Sequence, residues 1–168
     1  MKHQFYSKIY MKKDHSYFLK RAIQLAEEGM DKGQGGPFGA VIVKDGEIIA
    51  EANNKVTASN DPTAHAEVVA IRKACEKLQD FQLENCILYT SCEPCPMCLG
   101  AIYWARPKKV YYALTREDAA KIGFDDQFIY DEIALKMDDR KVPFENLMRE
   151  EGLPVFQKWE AKGDRVDY

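Results

Sequence analysis

The sequence predicts an α/β domain built on a sheet with helices packed against it. Three observations carry this. Helical and strand-like periodicities alternate from Asp14 to Leu114. The mostly apolar run Cys86–Thr90 reads as a central strand. The strand after it is reached through a helix, so the two should run parallel. With 168 residues, 46% of them hydrophobic and 30% charged, the chain can bury a sizeable core in one domain.

Residues 1–13 carry four lysines in a stretch of mixed polarity and read as a flexible N-terminal extension without a secretory pattern. From Asp14, the residues Phe18, Ala22, Leu25, Ala26 and Met30 line one helical face, with Gly33 as the stop. The loop Gly35-Gly36-Pro37 leads into a strand over 38–43. Lys44-Asp45-Gly46 turns it into a second strand over 47–51. Gly35 and Gly36 do not follow a strand, so they are not a phosphate-binding fingerprint; loop flexibility accounts for them as well as substrate contact does.

Asp61 and Pro62 suit the N-cap and first position of a second helix, which places His65 and Glu67 in its first turn. Residues two apart on a helix diverge, so only at an open helix end can both reach one site. A third helix starts at the Cys95-Pro96 step and ends at Arg106-Pro107; a strand over 110–114 follows. The remainder is acidic: residues 115–168 hold fourteen acidic and nine basic side chains. A helix begins near Phe124–Ile129, residues 136–143 read as an exposed connection, and 144–162 as one or two helices interrupted around Gly152 and Pro154.

Net charge is −3 and the pI about 5.7, so no global basic field draws the chain to nucleic acid or anionic lipid. No apolar run is long enough to span a bilayer. Five cysteines, two of them as Cys95-x-x-Cys98 in a chain without a signal pattern, favour metal binding in a reducing cytoplasm over disulfides.

Cys95 and Cys98 are neighbours on a helix surface, at a helix N-terminus that favours the thiolate. A redox pair would not explain the separate His65-x-Glu67 element, and a structural zinc ribbon would need a second C-x-x-C. His65 is the preferred third ligand, with Cys92 as its rival. Cys75 and Cys86 read as core residues. Three protein ligands leave one corner of a zinc tetrahedron open, as in catalytic sites. Glu67 beside that corner is the acid a hydrolytic deamination needs: the metal makes hydroxide available near neutral pH, and the carboxylate moves the proton. H-x-E with P-C-x-x-C is the pattern of zinc-dependent nucleobase deaminases.

The strings Asp61–Glu67 and Pro94–Cys98 resemble the cytidine deaminase-like superfamily, and the first of them also suits tRNA adenosine deaminases. The longer strings Gly35–Gly46 and Tyr89–Pro107, the Gly123–Asp126 element and the terminal tyrosine are similar to bacterial guanine deaminases. This resemblance covers residues 14–168 as one deaminase domain. It implies a three-layer α-β-α sandwich with a mixed central sheet and one catalytic zinc held by His65, Cys95 and Cys98. It further implies Glu67 as proton shuttle and Asp126 as the acid near the leaving amine, with Phe38, Asn54, Ala66, Trp104 and Tyr168 binding substrate. Asn53 competes with Asn54, and Asp125 with Asp126. Without the resemblance, Phe38 and Trp104 are core aromatics.

The resemblance also implies a homodimer, with the C-terminal segment exchanged between subunits as in related bacterial enzymes. The reading is deamination of guanine to xanthine and ammonia in purine catabolism or salvage. Deamination of guanosine is the alternative, and editing of adenosine in tRNA, with Lys108 and Lys109 as a local basic patch, is a weaker one. A zinc scaffold without activity is the non-enzyme reading, against which Glu67 stands.

Overall fold

The computed structural model describes residues 14–167; the N-terminal extension and Tyr168 lie outside them. The chain divides into two compact units, the first ending at Phe124 and the second beginning at Asp125.

The first unit is built on a four-stranded mixed sheet. β1 (Gly39–Lys44) and β2 (Glu47–Asn53) form a hairpin. Its turn residues Asp45 and Gly46 both have positive φ, 51° and 81°, the combination that suits the twist of a tight hairpin. β1 also pairs antiparallel with β3 (Cys86–Cys92), which pairs parallel with β4 (Lys109–Leu114), giving the order β2-β1-β3-β4. β3 is therefore internal, as its apolar run predicts.

Side chains alternate across the sheet and so separate two cores. Val41 and Val43 of β1 and Tyr89 of β3 meet α1 (His15–Asp31) through Phe18, Ala22 and Leu25. Ala40, Ile42 and Leu88 face the other way, toward Ala66, Ala70, Ile71 and Ala74 of α3 (Ala66–Leu78) and Ile102 and Ala105 of α4 (Pro96–Ala105). Helix, sheet and helices make the three layers expected. Gly39 permits the close seat of α1: a Cβ there would lie 2.2 Å from the Ala22 carbonyl oxygen. On α1, Gly29 is buried, while Met30 is 49% exposed and lies off the core face.

One boundary differs from expectation in a way that shapes the site. The helix carrying Glu67 starts at Ala66, not at Asp61. A short helix α2 (Val56–Ser59) precedes it, and Asp61 closes a local turn instead: its Oδ1 accepts from Thr63 N at 2.8 Å and from Thr63 Oγ1 at 2.7 Å. An aspartate's side chain can satisfy nearby backbone donors in a turn as readily as at a helix cap. α5 (Arg116–Lys121), with a capping box at Thr115 and Asp118, completes the first unit's helices.

The second unit holds α6 (Gln127–Ala134), a 3₁₀ turn at Met137–Asp139 and α7 (Arg149–Glu160). α7 runs through Gly152 and Pro154 without the expected break. Proline's fixed φ is helical, so what the helix forgoes is the bond that residue 154 cannot donate. None of the described residues of this unit is buried.

Candidate active site

Two helix starts bring the chemistry together. His65 is the N-cap of α3 (φ −67°, ψ 154°) and Cys95 the N-cap of α4 (φ −65°, ψ 168°), both with extended backbone. Neither side chain caps its own helix, so both are available to the space beyond the helix ends. Because His65 stands outside the helix, the divergence of residues two apart does not separate it from Glu67.

His65 Nδ1 lies 3.5 Å from Cys95 Sγ and 3.5 Å from Cys98 Sγ. The ligand atoms of these three residues all fall within 4.8 Å of one another; among the described residues no other His/Cys/Asp/Glu group clusters so. With Zn–S about 2.3 Å and Zn–N about 2.0–2.1 Å, the S···N edge of a tetrahedron is about 3.5–3.6 Å. The spacing thus fits a zinc ion with two thiolates and one imidazole nitrogen.

The electrostatics suit a cation as well. The interactions with Cys98 and with the His65 ring hold the Cys95 thiol down at about 4. The interaction with Cys95, together with burial, pushes Cys98 upward. The hydrogen bond to Cys95 raises His65. A cluster that concentrates a proton between sulfur and nitrogen is one in which a metal can displace it. Cys92, the rival ligand, is elsewhere engaged. Its buried thiol donates to the Thr115 carbonyl at 3.4 Å, and burial pushes it up to about 11.

Glu67 lies beside this cluster and is only 6% exposed. Its Oε2 accepts from Cys98 Sγ at 3.4 Å and its Oε1 from Thr90 Oγ1 at 3.1 Å. Burial raises its carboxyl above the usual range. Thr90 carries no signal in the sequence. Its place follows from sheet register: like Leu88, it points to the α3 side of β3.

Phe38 is half-buried and packs edge-on against Phe124, ring centroids 4.9 Å apart at 89°. Asn54 is 4% exposed; its backbone N–H donates to the Phe38 carbonyl at 2.9 Å, and its Oδ1 accepts from Val56 N at 3.0 Å. Asn53 is committed differently, since its Nδ2 donates to Gln34 Oε1 (3.0 Å) and to the Asn54 carbonyl (2.9 Å). Gly35 has a packing role in place of simple loop flexibility: a Cβ there would sit 2.1 Å from Asn54 Oδ1. Ala66, wholly buried, is the first residue of α3 and joins the core.

Trp104 is not the core aromatic that the residue reading gave. It is 63% exposed, on the last turn of α4. Asp126, the N-cap of α6, belongs to the second unit and is half-exposed, whereas Asp125 Oδ1 accepts from Gln127 N at 3.0 Å. Tyr168 lies outside the described residues.

Fold and cluster together define a class. Residues 12–114 match the family described as the cytidine and deoxycytidylate deaminase zinc-binding region, and the chain belongs to that family of zinc-dependent deaminases. More particularly, it is 62% identical over 155 residues to guanine deaminase of Bacillus subtilis (strain 168), covering 92% of this chain and 99% of that relative. The crystal structure of guanine deaminase from Bacillus subtilis matches it with a TM-score of 0.91 at 62% identity, over 93% of this chain and 99% of the other. A tRNA-specific adenosine deaminase of Aquifex aeolicus (strain VF5) is 48% identical over 97 residues, covering 58% of this chain and 64% of the relative. The family resemblance carried by the motifs is thereby borne out, as are the layered fold and the zinc requirement.

Proposed function

We infer that this chain is a zinc-dependent aminohydrolase that converts guanine and water to xanthine and ammonia. The observation that carries this reading is 62% identity to a guanine deaminase over 92% of the chain, joined to a His/Cys/Cys group with a buried glutamate. His65, Cys95 and Cys98 would hold the zinc. When bound, zinc supplies the Lewis acidity that makes hydroxide available near neutral pH.

The chain's own residues do the rest. Glu67 takes the proton of the attacking water as oxygen bonds to carbon 2 of guanine. It delivers that proton to the adjacent ring nitrogen, where it stays, then takes the second proton from the hydroxyl now on carbon 2 and passes it to the amine as the carbon–nitrogen bond breaks. Ammonia leaves, and the oxygen stays as the new carbonyl of xanthine.

Phe38 offers the base an aromatic face. Asn54 suits the purine edge better than Asn53, because the Asn53 Nδ2 already donates twice, whereas no hydrogen bond donated by the Asn54 Nδ2 is found among the described residues. Ala66 and Trp104 complete the substrate contacts. The activity serves purine catabolism, in a reducing cytoplasm that suits five free cysteines. We further propose that the chain is a homodimer that exchanges its C-terminal segment. Support comes from the second unit, where Phe128, Ile133, Leu147 and Phe156 are all more than half exposed. Light scattering at twice 19.3 kDa would agree, and a monomer mass would refute it.

Guanosine shares the reacting edge, so substrate must be tested directly. The purified protein is assayed for ammonia release from guanine, guanosine, adenine, cytosine and the matching nucleosides. Guanine should give the highest kcat/KM by at least about 10²-fold. Preference for guanosine, or for adenosine in tRNA, would contradict the reading.

A further inference from the structure

We propose that Thr90 is a positioning residue for the reaction: its hydroxyl holds one oxygen of Glu67 and leaves the other as the oxygen that moves protons. The inference rests on the role given to Glu67 above and on the following geometry.

Among the described residues, two side chains reach the Glu67 carboxylate, and they take different oxygens. Thr90 Oγ1 donates to Oε1 at 3.1 Å; Cys98 Sγ donates to Oε2 at 3.4 Å. The two contacts differ in permanence. A cysteine that ligates zinc is a thiolate and has no proton to give. As a zinc ligand Cys98 would have no proton to donate to Oε2, whereas the Thr90 bond to Oε1 does not depend on the metal. The threonine hydroxyl cannot ionise in the working pH range, so this restraint persists through a catalytic cycle.

The restraint is also stiffly built. Thr90 is 1% exposed, in the middle of an internal strand, and its backbone pairs with Ala40 on one side and Tyr112 on the other. As a β-branched residue it has few χ1 choices. Glu67 is on the first turn of α3 and is itself buried. An unrestrained carboxylate could rotate and present either oxygen; one oxygen tied to the sheet fixes its plane relative to the reacting atoms. Groups that orient a catalytic side chain in this way typically contribute about 10–100-fold to activity.

The test compares Thr90→Val, which keeps the branched shape and deletes the hydroxyl, with Thr90→Ser, which keeps the hydroxyl and deletes the methyl. Thr90→Ala serves as a second variant without the hydroxyl. Zinc content, melting temperature, kcat and KM are measured for each, on whichever base in the substrate panel the wild-type protein deaminates. A failure of guanine itself as substrate is thus seen separately in the wild type. Val and Ala should lower kcat about 10–100-fold with KM nearly unchanged and zinc retained, and Ser should recover kcat to within about threefold. Wild-type kcat in Thr90→Val overturns the proposal. So does a Ser variant as impaired as Val, which would make the methyl the important group. Loss of zinc in Thr90→Val would place the effect on the ligand set and likewise overturn it.

Discussion

Substitution of Glu67, the proposed carrier of the proton transfers, separates chemistry from folding. Glu67→Gln keeps the shape and the capacity to accept from Thr90, but cannot cycle a proton. Turnover should fall about 10²–10⁴-fold while zinc stays bound, as metal analysis and steady-state kinetics will show. Cys95→Ala should lose metal and activity together, since two ligands rarely hold zinc as three do; a zinc-replete mutant would disprove the ligand set. His65, Glu67, Cys95 and Cys98 were legible in the sequence because metal chemistry restricts both the residue types and their local spacing. Thr90 was not, because its partner is 23 positions away and only the strand register and the seat of α3 bring them together. Trp104 misled the residue reading, as an aromatic on an apolar helix looks like core until the helix face is known.

At the scale of elements, the alternation of helix and strand was readable from periodicity, including the parallel pairing of β3 with β4 after a helical crossover. Helix starts were harder. Asp61-Pro62 has the composition of a helix N-terminus, yet the same aspartate closes a turn on Thr63, and His65 becomes the cap. The outcome matters for function, because an N-cap histidine faces the end of α4, where one inside the helix would share the divergence of its neighbours. The seat of α1 yields a direct prediction. Gly39→Ala places a methyl 2.2 Å from the Ala22 carbonyl and 2.7 Å from the Ala26 nitrogen, both main-chain atoms that cannot swing aside. The expected loss is about 3 kcal/mol, or on the order of 6–12 °C in Tm, measurable by thermal unfolding.

For the whole molecule, the Arg21–Glu51 pair ties α1 to β2, with Nε to Oε1 at 2.8 Å and Nη2 to Oε2 at 2.9 Å. Hydrogen bonding from Arg21 holds the Glu51 carboxyl below its usual range, and the guanidinium stays charged throughout. A lowered folded-state value means that the pair stabilises above the unfolded carboxyl's pKa and ceases to do so as pH falls through the folded one. The stability difference between wild type and Glu51→Gln should therefore be present near neutral pH and vanish as acidification passes the lowered folded-state pKa of Glu51. Because both side chains are about a quarter to a third exposed, the effect should be small. A difference that persists at the acid end would show that packing, not charge, links these elements.

Guanine deamination by this chain depends on one zinc, for which the meeting of two helix starts is the proposed seat. The most direct test strips the protein of metal, adds zinc in known equivalents and follows xanthine formation from guanine. No turnover is expected without metal, and added zinc should give a linear rise that levels off at one zinc per chain, with Glu67→Gln binding the same equivalent and remaining inactive. Turnover of guanine by metal-free protein, or a fully zinc-loaded protein that leaves guanine unchanged, would contradict it.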